Sequence, residues 1–194
     1  DTKFTPVILN SFLDQQGNLW ICNHWDVTKI SFSTYACSLQ AMDTGFETRA
    51  FLIDEKNELW TASKKGYVRI YQPDGSLKGY LTPEGTISSQ PISFQKNIYC
   101  FMEDENGIIW MGSKLDGLFR LTRDSKDHFL IRQFTHQENN PYSLSNNSIY
   151  SIYQDHQKRI WIGCYGGGLN LLEETAEGEI RFIHNDNRLK EYPK

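Results

Sequence analysis

Four aspartates recur in register with four tryptophans, and they are the first residues in this sequence that could do chemistry. Each aspartate lies six residues before its tryptophan, as in Asp14 and Trp20, Asp54 and Trp60, Asp104 and Trp110, and Asp155 and Trp161. Two carboxylates about 5–10 Å apart could hydrolyse a glycosidic bond. These aspartates occupy equivalent positions of a repeat, however, and stacked repeats would spread them around a rim. We therefore predict that they form turns, that the tryptophans are core residues, and that the chain is not an enzyme.

A second set of residues could bind a ligand, because aromatic and charged side chains fall together in predicted loops. Trp25 breaks the repeat and lies beside His24, while Tyr165 precedes a glycine triplet at a similar loop position. Lys114 shares that loop position, as do Lys64, Lys65 and Asp116. Aromatic rings beside polar groups suit carbohydrate, whose C–H faces stack on rings. We predict ligand binding by Trp25, His24, Tyr165 and Lys114; the alternative is that the aromatics pack on an adjacent loop.

Metal and cofactor chemistry is not indicated. The five histidines show no close i, i+2 or i, i+4 pair, and the four cysteines form no C-x-x-C pair. No Lys-Ser/Thr pair or helix follows the glycine triplet 166–168, so it does not resemble a phosphate-binding loop. We predict no metal, no cofactor, and buried free thiols at Cys100 and Cys164.

The composition of the chain disfavours nucleic acid as a binding partner and a membrane-spanning segment within it. The net charge is −4 and no cluster of Lys and Arg stands out along the sequence, which disfavours nucleic acid. No run of about 20 apolar residues occurs, so we predict no membrane segment within this chain, and no signal peptide is visible at Asp1. The aromatic content of 13% favours strands over helices.

The elements that position these residues follow from the repeat. Successive repeat tryptophans are 40, 50 and 51 residues apart (20 to 60, 60 to 110, 110 to 161). An alternating apolar strand precedes each aspartate, and Gly17, Asn57 and Gly107 stand where a hairpin needs a left-handed residue. Lys158 breaks this pattern, which predicts a turn that is strained or differently built. Four antiparallel strands per unit of this length are typical of a β-propeller blade.

We therefore predict an all-β fold of four four-stranded blades with almost no helix. The chain divides into blades at approximately 7–46, 47–96, 97–147 and 148–186. Most propellers close with more blades than four. Residues 1–194 are thus predicted to be a partial propeller, whose open blade edges would pair with another chain or form a homodimer.

The repeats resemble a known family, the two-component regulator propeller repeat. The resemblance is clearest in residues 149–155 (IYSIYQD), 159–163 (RIWIG) and 167–170 (GGLN). The connection 134–149 and the third repeat, residues 110–113 with 117–118, also fit. Cys22 and Ala62 depart from the pattern, because the family prefers glycine there.

This resemblance implies a non-catalytic, periplasmic sensor segment of a hybrid two-component regulator, and a larger propeller of seven blades to which these four belong. Such regulators in Bacteroidetes commonly detect oligosaccharides, and their histidine kinase would lie outside these 194 residues. The alternatives are an enzyme on the same scaffold, such as a propeller lyase or a quinone-dependent dehydrogenase, and a purely structural interaction propeller. A lyase would need a convergent His/Glu/Arg cluster, and none can be located in the sequence.

Overall fold

The computed structural model describes residues 10–22, 26–31, 37–41, 47–125 and 127–187. Within these ranges it contains strands and no helix. The first two sheets consist of β1 (Asn10–Leu13), β2 (Leu19–Cys22), β3 (Asp26–Ile30) and β4 (Cys37–Ala41), then β5 (Thr48–Ile53), β6 (Leu59–Ser63), β7 (Val68–Tyr71), β8 (Leu77–Leu81) and β9 (Ile87–Ser88). The other two consist of β10 (Ile98–Glu103), β11 (Ile109–Ser113), β12 (Leu118–Ser125) and β13 (His128–Phe134), then β14 (Ile149–Gln154), β15 (Ile160–Cys164), β16 (Gly168–Glu174) and β17 (Ile180–Ile183).

Each sheet is an antiparallel meander whose strands are paired in chain order. The first strands of successive sheets lie side by side, β5 against β10 and β10 against β14. One basin is lined by residues from all four sheets, so the sheets surround a common centre. This arrangement confirms the all-β fold of four propeller blades, numbered here in chain order. The sequence did not predict β4 or the short fifth strand β9.

A local hydrogen-bond pattern explains the repeated Asp and Trp. The Asp104 carboxylate accepts backbone N–H bonds from Asn106 (2.9 Å) and Ile108 (3.1 Å), and the indole N–H of Trp110 donates to its other oxygen at 2.9 Å. The indole bond recurs in the other blades at 2.8 Å (Trp20), 3.0 Å (Trp60) and 2.9 Å (Trp161). The six-residue spacing therefore closes a hairpin and orients the tryptophan in one motif.

The third residue after each aspartate has a left-handed backbone. The φ angles are 79° at Gly17, 59° at Asn57, 71° at Gly107 and 67° at Lys158. The Lys158 N–H donates to the Asp155 carbonyl at 2.9 Å, as the Gly17 N–H donates to the Asp14 carbonyl at 3.0 Å. The fourth turn is therefore built like the others, and Lys158 holds a conformation that costs a non-glycine residue roughly 1–2 kcal/mol.

The core lies between blades. Trp60 (0% exposed) packs between blades 2 and 3 with Met111 and Phe129, and Trp110 (2% exposed) packs between blades 3 and 4 with Ile149 and Phe182. Truncating a buried tryptophan of this kind costs roughly 3–5 kcal/mol. Trp20 and Trp161, in the first and last blades, are only partly buried. The repeat tryptophan is thus fully buried, as predicted for a core residue, where the following blade packs tightly against it.

Cys22, Cys100 and Cys164 are buried free thiols, as predicted for Cys100 and Cys164. Burial raises the pKa of Cys22 and Cys100 to about 12. Such thiols are inert at neutral pH, because the thiolate is the reactive form. Among the described residues no helix could cross a membrane.

Candidate ligand-binding face

The loops that hold Lys64, Lys114 and Tyr165 lie on the same face as the connections between blades. The backbone N–H of Lys64 donates to the Glu47 carbonyl (2.8 Å), that of Lys114 to the Asn97 carbonyl (2.9 Å), and that of Tyr165 to the Ser148 carbonyl (2.8 Å). Each bond ties the loop after the second strand of a blade to the segment that enters the first strand. We call this surface the connection face. The opposite end, which carries the Asp-Trp hairpins, is the turn face.

The inner strands β5, β10 and β14 each contain a β-bulge at the end nearest the connection face. The pairing register shifts between Thr48 and Ala50 in β5, and β10 and β14 shift at the equivalent position. The residues at the three bulges are Arg49, Tyr99 and Tyr150. Bulges commonly re-aim a side chain next to a functional site.

The bulge tyrosines and Tyr165 form a continuous series of rings across blades 3 and 4. The ring centroids of Tyr99 and Tyr150 are 5.0 Å apart, and those of Tyr150 and Tyr165 are 5.6 Å apart. The guanidinium of Arg49, from blade 2, lies 5.6 Å from the Tyr99 ring centroid. We call Tyr99, Tyr150 and Tyr165 the tyrosine row. Its exposure rises along the row, because Tyr99 is half-buried while Tyr150 is 46% and Tyr165 72% exposed.

The glycine-rich loop beside Tyr165 packs closely on the connection that enters β14. A Cβ on Gly167 would lie 2.6 Å from the Ser145 hydroxyl, so only glycine fits. The buried Asn170 accepts the Ser145 backbone N–H at 2.9 Å and donates to the Ser145 hydroxyl at 2.8 Å. The loop is thus held in place, and a shallow groove of about 310 Å³ lies between Tyr150, Tyr165 and their neighbours.

The connection face is positively charged although the whole chain is acidic. Its described residues include five basic and two acidic side chains, namely Arg49, Lys64, Lys65, Lys96 and Lys114 against Glu47 and Asp116. Glu47 forms ion pairs with both Arg49 (3.0 Å) and Lys64 (3.3 Å), and Asp116 forms one with Lys96 (2.7 Å). The fold therefore gathers a basic patch from segments that are far apart in the sequence.

The structure places two of the four predicted ligand residues on this face. Tyr165 ends the tyrosine row, and Lys114 lies at the junction of blades 3 and 4, where its carbonyl accepts the Ser148 hydroxyl. Trp25 and His24 lie outside the described residues. The predicted roles in binding remain predictions.

Sequence reasoning missed Arg49, Tyr99 and Tyr150. A signal for them does exist, since each lies five residues before the repeat aspartate of its blade. Aligning the repeats at that position would have shown a basic residue followed by two aromatic ones. Their contact with Tyr165 depends on blade packing.

On the turn face, the repeat aspartates are held by their own hairpins. Although partial burial would raise it, hydrogen bonds from Trp20, Asn18 and Gln16 hold the pKa of Asp14 at about 2. A basin of about 500 Å³ opens there and is lined by Glu103 among others. Burial, assisted by the nearby Asp54 and Glu55 carboxylates, raises the pKa of Glu103 to about 7, against the effect of the Glu55 N–H bond.

Two of the described histidines, His128 and His136, have local partners. His128 Nδ1 lies 2.8 Å from an Asp124 oxygen, and His136 Nδ1 lies 2.6 Å from the Leu144 carbonyl. No group of three metal-ligating side chains converges within the described ranges.

Comparison with known proteins confirms the resemblance seen in the repeats. Residues 93–114 and 143–166 match the sequence model of the family described as two component regulator propeller. These segments contain Tyr99, Lys114, Tyr150 and Tyr165. A curated relative, histidine kinase P4 of Formosa agariphila, is 26% identical over 132 residues, which are 64% of this chain and 9% of that protein.

Solved structures share the fold. Extracellular domains of two hybrid two component systems from B. thetaiotaomicron match with TM-scores of 0.65 and 0.62, at 17% and 22% identity, over 90% and 92% of this chain. The chain spans 26% and 22% of those domains. A virginiamycin B lyase from Staphylococcus aureus matches with a TM-score of 0.61 at 18% identity, over 89% of this chain and 54% of the lyase. At these identities the similarity establishes the propeller fold and leaves the function to be argued from the site.

Proposed function

We propose that this chain is a non-catalytic, ligand-sensing segment of the periplasmic part of a hybrid two-component regulator, and that its ligand is an oligosaccharide. The tyrosine row carries this proposal. Three rings from two blades lie in contact at one face, and two of them are substantially exposed. Exposure of such rings to water is unfavourable, and the C–H faces of a sugar would cover them. The family match and the relative that is a histidine kinase support the regulatory setting.

Signalling would work by population shift. A ligand on the connection face contacts blade 3, blade 4 and the segments between them, because Lys114 and Tyr165 are both bonded to those segments. It would therefore favour one arrangement of the blades over another and bias the attached kinase. The kinase itself would lie outside this chain.

We propose that further blades complete the propeller, seven in all. Leu52, Met102 and Tyr153 occupy the same repeat position, two residues before the aspartate. Leu52 is 8% exposed because blade 3 covers it, whereas Tyr153 is 64% exposed on the last blade. Trp161 beside it is also only partly buried. A fifth blade, or a second copy in a homodimer, would bury this face.

Radical footprinting tests the blade proposal. Tyr153 should be labelled in the isolated 194-residue chain and protected in the intact periplasmic region, at protein concentrations where both are monomeric. Protection that grows with concentration in the isolated chain would instead indicate a homodimer. Equal labelling of Tyr153 in both proteins at all concentrations would show that nothing covers this face.

A thermal-shift screen of the intact periplasmic region against oligosaccharides tests the sensing proposal. A bound glycan should raise the Tm with increasing concentration, by mass action. The variant Tyr165→Ala should lose the shift, whereas Tyr142→Ala should keep it, since Tyr142 lies beside the outer strand β17. If no glycan raises the Tm while a protein or another class of ligand does, the oligosaccharide proposal is wrong.

A further inference from the structure

We propose that the ligand of the connection face is an anionic saccharide, whose rings lie along the tyrosine row and whose carboxylate or sulfate group pairs with Arg49. This inference rests on the proposed function and specifies the chemical class of its ligand. It depends on the geometry at the Arg49 end of the row and on the charge of the surrounding face.

Arg49 has an unused hydrogen-bond donor at the end of the row. Its Nε atom is buried and has no hydrogen-bond acceptor among the described residues. One terminal nitrogen binds Glu47 at 3.0 Å, but Glu47 is shared with Lys64. A buried donor without a partner costs about 1–3 kcal/mol. The Arg49 side chain is 24% exposed overall, so a ligand acid group can pair with the accessible part of its guanidinium.

The position of Arg49 links that acid group to the rings. Its guanidinium lies over the Tyr99 ring, and Tyr99 contacts Tyr150, which in turn contacts Tyr165. The cation and the rings therefore form one continuous surface. A saccharide with an acid group on one sugar could place that group at Arg49 while its other ring covers Tyr150 or Tyr165.

The electric field favours an anion at this face. Lys114, at the junction of blades 3 and 4, is exposed and forms no ion pair with any residue in the described ranges. The turn face has the opposite character, since its hairpins and basin bring together Asp14, Glu55, Glu103 and Glu105. Such separation of charge guides an anion toward the basic face and raises its association rate. A neutral saccharide could accept a hydrogen bond from Arg49 but would make no use of this field.

Calorimetric titration of the intact periplasmic region compares matched probes. The first pair is tri-galacturonate and its fully methyl-esterified, neutral form, and the third probe is a sulfated chondroitin disaccharide. We expect at least one anionic probe to bind, and the ester to bind about tenfold or more weakly than its acid, because a hydrogen bond to a charged group is lost. Affinity for the acid should fall between about 50 mM and about 300 mM salt. Because the chondroitin disaccharide carries a carboxylate as well as a sulfate, comparison with its unsulfated form tells which of the two groups is recognised.

Substitutions at two positions separate the contribution of charge to ligand affinity from the contribution of ring stacking. Arg49→Gln should weaken binding of the acid about tenfold or more and leave that of the ester unchanged. Tyr150→Ala should weaken both, and Tyr150→Phe should preserve both. The matched controls come from a second Arg–Tyr pair at the outer edge of blade 4, where Arg181 lies 5.2 Å from the Tyr142 ring centroid. Arg181→Gln and Tyr142→Ala should change affinity less than twofold.

The possible outcomes separate a failure of this inference from a failure of the proposed function on which it rests. If a neutral oligosaccharide binds while no anionic probe does, or if acid and ester bind equally, the inference is wrong and the oligosaccharide sensor stands. If an anionic probe binds but Arg49→Gln has no effect, the placement at Arg49 is wrong. If no saccharide of either charge binds, the inference and the proposed function both fail.

Discussion

Replacing Asp104 with asparagine changes one acceptor of a buried three-bond motif into a donor, with almost no change in shape. Asp104 is 7% exposed and Trp110 is 2% exposed, so water cannot replace a lost partner. If the asparagine oxygen keeps the two backbone N–H bonds, its amino group faces the indole N–H. One charge-assisted bond is lost and the other two become neutral. We expect a cost of about 3 kcal/mol, since hydrogen bonds to charged groups contribute about 1.5–3 kcal/mol each.

Urea unfolding followed by far-UV circular dichroism measures this cost. With a slope of about 2 kcal/mol per M, the midpoint of Asp104→Asn should fall by about 1.5 M. The control is Asp74→Asn, because the exposed Asp74 accepts hydrogen bonds from Ser76 in its own turn, with the backbone N–H at 2.8 Å, and its replacement should barely move the midpoint. The double variant with Trp110→Phe removes the opposing donor. Its cost should therefore be smaller than the sum of the two single costs by about 1 kcal/mol or more.

Two results would refute this reasoning. If Asp104→Asn shifts the midpoint no more than Asp74→Asn, the buried carboxylate does not stabilise the hairpin. If the costs of Asp104→Asn and Trp110→Phe simply add, the indole bond at 2.9 Å does not couple the two residues.

Three further predictions concern single positions. Lys158→Asn should stabilise the chain by about 0.5–1 kcal/mol in urea unfolding, because asparagine tolerates the left-handed backbone; Lys158→Ala should not, and equal effects would show that no strain is relieved. Gly112→Ala should cost about 1–3 kcal/mol, since its Cβ would lie 2.5 Å from Cys100 Sγ and Ile149 Cγ2; an unchanged midpoint would mean that the blades separate freely. Glu103 has a folded pKa of about 7, above its ordinary 4.5, so its contribution to stability is complete below about pH 4.5 and is lost as the pH rises through about 7. Glu103→Gln should flatten the pH dependence of the unfolding free energy in that window, and an unaltered slope would contradict the assigned pKa.

Much of the fold could be predicted because the repeat is local. The Asp104 contacts reach only two, four and six residues along the chain, so the spacing of residue types specifies the hairpin before any blade packs. The left-handed position at Lys158 was predictable for the same reason. The spacing alone did not show whether that turn was distorted, and the 67° φ angle with an intact hydrogen bond answers this.

The binding face was predictable only in part. The loop position of Tyr165 and Lys114 followed from repeat alignment, and the structure brings both beside the connections between blades. The basic patch was visible only in part, because Lys64, Lys65 and Lys114 share a loop position of the repeat whereas Arg49 and Lys96 lie outside it.

The sequence by itself thus determined the units of this protein: four aspartate–tryptophan hairpins, their turns and the strands around them, all closed by contacts within a few residues. Tertiary structure decided which residues of different units come into contact. Tyr99 and Tyr150 are 51 residues apart in sequence, and their rings meet because they lie at equivalent bulges of adjacent inner strands. Packing between blades also decides which tryptophans are buried, because each blade has two apolar faces and depends on its neighbours to cover them.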